Sequence, residues 1–268
     1  MIRRAVLGVF LACTTHPSAA QAPRIEALLD HLVAYTADYR AKLPSLECEE
    51  DIHSEMLKGG KVKRDVKIMA TLRETRDSKD PNEFHDSYTF HIINGKAVET
   101  TDGQPRAYKV KIQIPYFVEG AFANGLGFGG RGGRGCFEYR LTTEDGGATT
   151  RLEFWLKDGD LPAECNEIFA GYHKIVLVDT ATGVVRHITR SMSADAAMKH
   201  REPDFASIDY APQRMGDLEM WLPVRVEAHN ALNDRRMTAA FSNYHRYTGE
   251  VRIMPGVEPA GADDHTNP

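Results

Sequence analysis

No run of about 20 consecutive apolar residues occurs in this chain, so a polytopic membrane protein is excluded. Basic residues are in the minority, 33 Lys and Arg against 38 Asp and Glu, and the formal charge of −5 offers no footprint for nucleic acid. Cysteine is scarce, four in 268 residues, and no CxxC is present, which removes a zinc ribbon and a thioredoxin-type redox centre. HExxH is missing, and neither GxSxG nor SxxK stands in a usable context, so no nucleophile or metal-activated water is indicated. No cofactor is expected. Disorder is excluded too, because 42 % hydrophobic and 26 % charged residues are ordinary for a folded chain with a sizeable core.

The first twenty residues read as a secretory leader. Met1-Ile2-Arg3-Arg4 is basic, Ala5 to Ala12 is apolar and too short to span a bilayer, and small residues follow to Ala20-Gln21-Ala22. Cleavage after Ala22 would leave Pro23 first, which favours a cut after Ala20. That cut removes two arginines and no acid, taking the formal charge from −5 to −7. The chain is thus expected in the periplasm or outside the cell. Acylation at Cys13, after Phe10-Leu11-Ala12, is the weaker reading, because Phe10 stands where Leu or Val is usual. Without Cys13 an odd set remains: Cys48, Cys136 and Cys165. A Cys136–Cys165 bridge would close a loop of about 30 residues and contribute roughly 3 kcal/mol. Cys48 is then a free, buried, small hydrophobe.

From Ile25 to Tyr39, Ile25, Leu28, Leu29, Leu32, Val33, Tyr35 and Tyr39 recur at helical spacing, and Leu43-Pro44 ends the run. The period then changes to two. Leu46, Cys48, Ile52 and Met56 alternate with polar residues, as do Val62 to Leu72 and, after a turn at 77–82, Phe84 to Ile92 before Asn94-Gly95. Tyr108 to Ile114, Phe137 to Leu141, Leu152 to Leu156, Tyr172 to Val178, Val184 to Met192, Leu218 to His229 and Met237 to Tyr247 continue the pattern. About ten or eleven strands joined by short turns form an antiparallel meander, and its apolar face must be covered by the one strong helix. The expected class is α+β: a large curved antiparallel sheet, an incomplete β-barrel, wrapped around an N-terminal helix. One domain over 21–254 and a disordered tail over 255–268 complete the organisation.

Several constellations point to chemistry, and each has a plainer explanation. Gly125 to Gly130 matches GxGxxG but runs into Arg131-Gly132-Gly133-Arg134-Gly135, which cannot open a stable helix. It reads as a glycine-rich loop or lid at the sheet edge, with Arg131 and Arg134 as contacts for an anionic head group. His85 and His91 have solvent parity. His173 and His187 lie on neighbouring strands, His173 opposite Thr189 if Asp179 pairs with Gly183, and no third ligand is evident, so no metal is expected. Glu49-Glu50-Asp51 reads as a solvated strand face whose charges raise rather than lower the pKa of Cys48. The stripe Val66, Ile68, Leu72, Phe84, Tyr88, Phe90 and Ile92 would line the concave face. It is core if the helix covers it fully and a groove for an acyl chain if the helix does not.

Three segments carry a family resemblance. Leu43-Pro44-Ser45-Leu46-Glu47-Cys48-Glu49 ends the helix and enters the meander. Gly171 to Arg186 contains a strand–DxxTG–strand hairpin. Trp221-Leu222-Pro223 is followed by Phe241-Ser242-Asn243-Tyr244-His245-Arg246-Tyr247. Together they resemble secreted proteins of acidobacterial type and, more distantly, the lipoprotein-carrier (LolA-like) half-barrels of the bacterial envelope. The resemblance implies an incomplete barrel around a helix, with an apolar concavity for lipid or acylated lipoprotein, and no catalytic residue. The expected function is therefore a non-enzymatic exported envelope protein that binds an apolar ligand, with peripheral membrane contact among its consequences. A structural or sensing module that binds another envelope protein is the alternative. A hydrolase using His173 and His187 comes third.

Overall fold

The computed structural model of the protein describes residues 22–80, 83–98, 100–101, 104–105, 131–159, 161–165, 171–200, 203–230 and 234–247. The expected leader with Cys13, the strand expected over 108–114, the glycine run 125–130 and the tail 255–268 lie outside the described residues. Helix α1 (Ala22–Lys42) is followed by β1 (Leu46–Lys58), β2 (Lys61–Arg76), β3 (Phe84–Ile93) and three short strands, β4 (Lys96–Ala97), β5 (Thr100–Thr101) and β6 (Gln104–Pro105). Then come β7 (Phe137–Glu144), β8 (Thr149–Leu156), β9 (His173–Asp179) and β10 (Val185–Ser191). Helix α2 (Ala194–His200), β11 (Phe205–Met215), β12 (Leu218–Asn230) and β13 (Arg235–Arg246) end the series.

Eleven of the strands form one antiparallel sheet in the order β4-β3-β2-β1-β13-β12-β11-β10-β9-β8-β7. It is open, with β4 and β7 as its edges, and is the α+β half-barrel that the strand pattern requires. Every neighbour is sequential except β1 and β13. Their pairing, from Leu46↔Arg246 to Met56↔Arg235, joins the first meander to the last. Two-residue turns do much of the reversal. At Asn94-Gly95 both residues have positive φ, 49° and 76°, the twist that a two-residue hairpin needs. Strand β11 and helix α2 were not legible in advance. The inner face of β11 begins with small Ala206, polar Ser207 is buried on the opposite side, and Pro212 interrupts its strand signal, yet it pairs along its length with β12.

The helix buries one stripe. Ile25, Leu29, Leu32, Tyr39 and Leu43 join the core with the inner residues of β1, β2 and β8 to β13, whereas Val33, expected on the apolar face, is 40 % exposed. Pro44 ends α1 at Lys42, and the orphan carbonyls of its last turn are taken by Arg76. The Arg76 guanidinium donates to the carbonyls of Arg40, Ala41 and Leu43. At the other end Arg134 holds Glu26 and Asp30, each at 2.8 Å. Midway, His31 Nε2 lies 2.9 Å from the carbonyl of Gly183 in the β9–β10 turn.

That turn is the DxxTG motif at work. The Asp179 carboxylate accepts from the backbone N–H groups of Ala181 and Thr182 and from the Thr182 hydroxyl, and its second oxygen takes Arg186. These bonds, led by Thr182, hold the Asp179 carboxyl below the usual carboxylate range. The closing motifs also have defined partners. Tyr244 donates its hydroxyl to the Pro223 carbonyl, and Arg73 lies 4.2 Å from the centre of the Tyr247 ring.

Candidate functional site: the inner face of the half-barrel

Strand parity builds this face in rows. Leu46, Glu74 and Asp86 lie side by side across β1, β2 and β3, as do Cys48, Leu72 and Tyr88, then Glu50, Ala70 and Phe90, then Ile52, Ile68 and Ile93. Val66, Ile68 and Leu72 of the expected stripe are buried here, and Phe84, Tyr88 and Phe90 are half-buried against the core. Ile92 is a correction. A bulge between Met69 and Ala70 shifts the β2–β3 register, so Ile92 pairs with exposed Met69 on the outer face and Ile93 takes the inner place.

The apolar covering is uneven. Under α1 the inner residues of β1, β13 and β12 are almost fully buried. On the flanks they are only partly covered by the described residues. Tyr88 and Phe90 stack with ring centres 6.3 Å apart on β3, and on the far side Phe137 and Tyr139 pack on Phe154 at 5.4 and 5.7 Å. Phe84, Leu141 and Tyr172 are likewise packed against the core without full burial.

The acids on this face were not expected there. Glu50 is 4 % and Glu74 2 % exposed, so the reading of Glu49-Glu50-Asp51 as a solvated face is wrong for its middle residue. Glu49, by contrast, points outward and accepts from Asn243 Nδ2 at 2.7 Å. The signal was available: Glu50 shares parity with Cys48 and Ile52, Glu74 with Leu72, and Asp86 with Tyr88. Burial first, and the charge of Asp86 second, push the Glu50 and Glu74 carboxyls up to about 8. One oxygen of each, Oε2, has no hydrogen-bond partner among the described residues. Burial and the same acids raise the Cys48 thiol and the Tyr88 phenol. On the opposite flank Lys174, on β9, is buried and held down to about 7 by burial and then by Arg190.

Other expected contacts fall elsewhere. Arg134 is committed to α1 rather than to a head group, its side chain only 11 % exposed. Residues 131–136 form a 3₁₀ turn instead of an open loop, and the Arg131 side chain lies outside the described residues. Cys136 and Cys165 form a disulfide, and Cys48 is free and buried. His173 pairs with Ser191, not Thr189, because the turn sets Val178 opposite Val185, one residue beyond the expected register, and a bulge between Val185 and His187 adds a second. Its Nε2 lies 2.9 Å from Glu153, whereas His187 lies 2.6 Å from Asp209, so the two histidines do not converge. Two compact sets with metal-ligand chemistry occur among the described residues, His53–Glu55–Asp65 and Asp77–Glu83–His85, neither of them buried.

No family model and no curated protein matches the chain. Solved structures do. A DUF1329 family protein from Desulfovibrio piger aligns at 13 % identity and TM-score 0.44, over 84 % of this chain and 94 % of its own. A putative outer membrane lipoprotein-sorting protein domain from Vibrio parahaemolyticus aligns at 12 % and 0.46, over 85 % and 95 %. A LolA superfamily protein from Nitrosomonas europaea aligns at 10 % and 0.34, over 84 % and 94 %. The likeness to lipoprotein-carrier half-barrels is thus distant.

Proposed function

We propose that the chain is an exported envelope protein that holds an apolar ligand, the acyl chain of a lipid or of a lipidated protein, against the inner face of its open sheet, with no catalytic step. The observation that carries this reading is the half-covered aromatic surface on both flanks of a sheet whose centre is filled by α1. A packed core closes over its aromatic rings. Here Phe84, Tyr88 and Phe90 on one flank, and Phe137 and Tyr139 on the other, are packed against the core and only half-buried. Each methylene buried against such a surface contributes about 0.8 kcal/mol. A chain of several methylenes therefore offsets the several kcal/mol that association costs. The Cys136–Cys165 bridge fits an oxidising compartment.

Native mass spectrometry of residues 21–268 purified from a bacterial periplasm, followed by solvent extraction, tests this. Added mass that extracts as lipid is the expected result. Tyr88→Ser with Phe90→Ser should then weaken binding of a fluorescent fatty-acid probe by about tenfold, the equivalent of 1.4 kcal/mol. A clean apo mass together with refusal of the probe would move the function to contact with another envelope protein.

A further inference from the structure

The inner face is apolar in its rings and acidic in its depths, and a plain acyl chain answers only the first property. Glu50 and Glu74 are each more than nine-tenths buried and project to the same side of the sheet as Cys48, Leu72 and Tyr88. The Oε2 atom of each lacks a hydrogen-bond partner among the described residues. Asp86, beside Glu74 on β3, adds a third carboxyl. From Cys48, Glu50, Glu74, Asp86, Tyr88 and Tyr244 we infer that the ligand of this face carries a cationic amine next to its apolar chain, held by these inner carboxyls. The inference rests on the reading of the face as an apolar binding site.

The surroundings favour a cation of this kind. Among the described residues no lysine or arginine shifts Glu50 or Glu74; the charge acting on both is another acid, Asp86. Arg76, two residues after Glu74, is engaged with the last carbonyls of α1 and lies over Phe84 at 4.7 Å. Arg73 is on the outer face with Glu47. The inner basic residues Lys174 and Arg190 belong to β9 and β10, separated from β1 by β13, β12 and β11. An anionic head group seated at Glu50 and Glu74 would face the like charge of these carboxyls and of Asp86. A neutral ligand would leave two buried oxygens unpaired, which is unfavourable in a low dielectric. A small metal ion is disfavoured by geometry. The compact ligand sets among the described residues are elsewhere, and the inner carboxyls do not form one. An ammonium group is larger, offers three donors and sits above aromatic faces such as that of Tyr88.

The test uses the delipidated chain, residues 21–268, and three probes of equal chain length: decylammonium, 1-decanol and decanoate. Isothermal titration at neutral pH should give decylammonium about tenfold tighter binding than decanol, a charge-assisted gain. Decanoate should be the weakest. Because Glu50 and Glu74 hold protons in the empty site, ammonium binding should release protons. The measured heat should then differ between buffers of different ionisation enthalpy, for decylammonium and not for decanol. Glu50→Gln with Glu74→Gln should abolish both the preference and the proton release, whereas Glu49→Gln on the outer face of the same strand should keep them. The buffer comparison needs no variant and so stands even if the double variant fails to fold. Decanol binding with no preference for the amine, with decanoate preferred, or without proton release overturns the amine inference alone. Binding of none of the three overturns the apolar site and the inference together.

Discussion

At the residue scale the inner face is defined by groups whose ionisation is suppressed. Cys48 is 1 % exposed and its thiol is raised by burial and by Glu50 and Glu74, so it is a poor nucleophile in the native state. With Cys136 and Cys165 bridged, residues 21–268 should show one thiol that reacts with Ellman's reagent in denaturant and none without it. Native reactivity would mean that Cys48 is open to solvent. Glu50 and Glu74 make stability depend on pH with an unusual sign. Below the ordinary carboxylate value of 4.5 they are protonated in both states. Between 4.5 and about 8 the unfolded chain has lost these protons and the folded chain has not, so stability falls as pH rises. Lys174 acts oppositely, but only above about 7, where the unfolded chain keeps a proton that the folded one has released. The ligand-free protein should therefore lose melting temperature between about pH 5 and pH 7, and Glu50→Gln with Glu74→Gln should flatten that decline. An unchanged slope in the variant would show that these carboxyls are ionised in the fold.

At the element scale the question is how one helix is held over an open sheet. Its apolar stripe fits many placements, and polar contacts select one: Arg134 at its start, Gly183 under its middle and Arg76 at its end. Gly183 is the tightest. Its φ is +72°, and a Cβ there would come within 2.2 Å of His31 Nε2. Gly183→Ala thus imposes both backbone strain and a collision with α1. Urea unfolding should show a loss of roughly 1–3 kcal/mol. His31→Ala in the same background should recover the part due to the collision. A Gly183→Ala protein of normal stability would mean that α1 does not ride on this turn. The DxxTG pattern made the turn legible, because Asp, Thr and Gly each have a fixed place in it. That a helix more than 150 residues earlier crosses over it was not legible, since no local pattern records the crossing.

At the scale of the whole molecule, one long-range pairing, β1 with β13, holds two meanders in a single sheet. The far edge, β7, has no such neighbour among the described residues. There the Cys136–Cys165 bridge, closing a sequence separation of 29, ties the entry of β7 to the turn before β9, and the Lys157 N–H bonds to the Cys136 carbonyl. Replacing both cysteines by alanine should lower the unfolding free energy by about 2–4 kcal/mol, measured in urea under otherwise identical conditions. Equal stability would mean that this edge is held by β-pairing alone. Alternation, the Leu43-Pro44 stop and the turn residues were enough to determine a long antiparallel meander with one N-terminal helix, because these signals act between near neighbours in the chain. The bridge was chosen from the places of Cys136 and Cys165 beside nearby strand segments, since the count alone leaves three pairings. Only the tertiary structure decided that Ile93 rather than Ile92 faces inward and that His173 and His187 stay apart, whereas the inward parity of Glu50, Glu74 and Asp86 was already written in the alternation of their strands. The physical reason is register. Each bulge moves every later side chain of a strand to the other face, and its position depends on how the partner strand packs, not on the strand's own sequence.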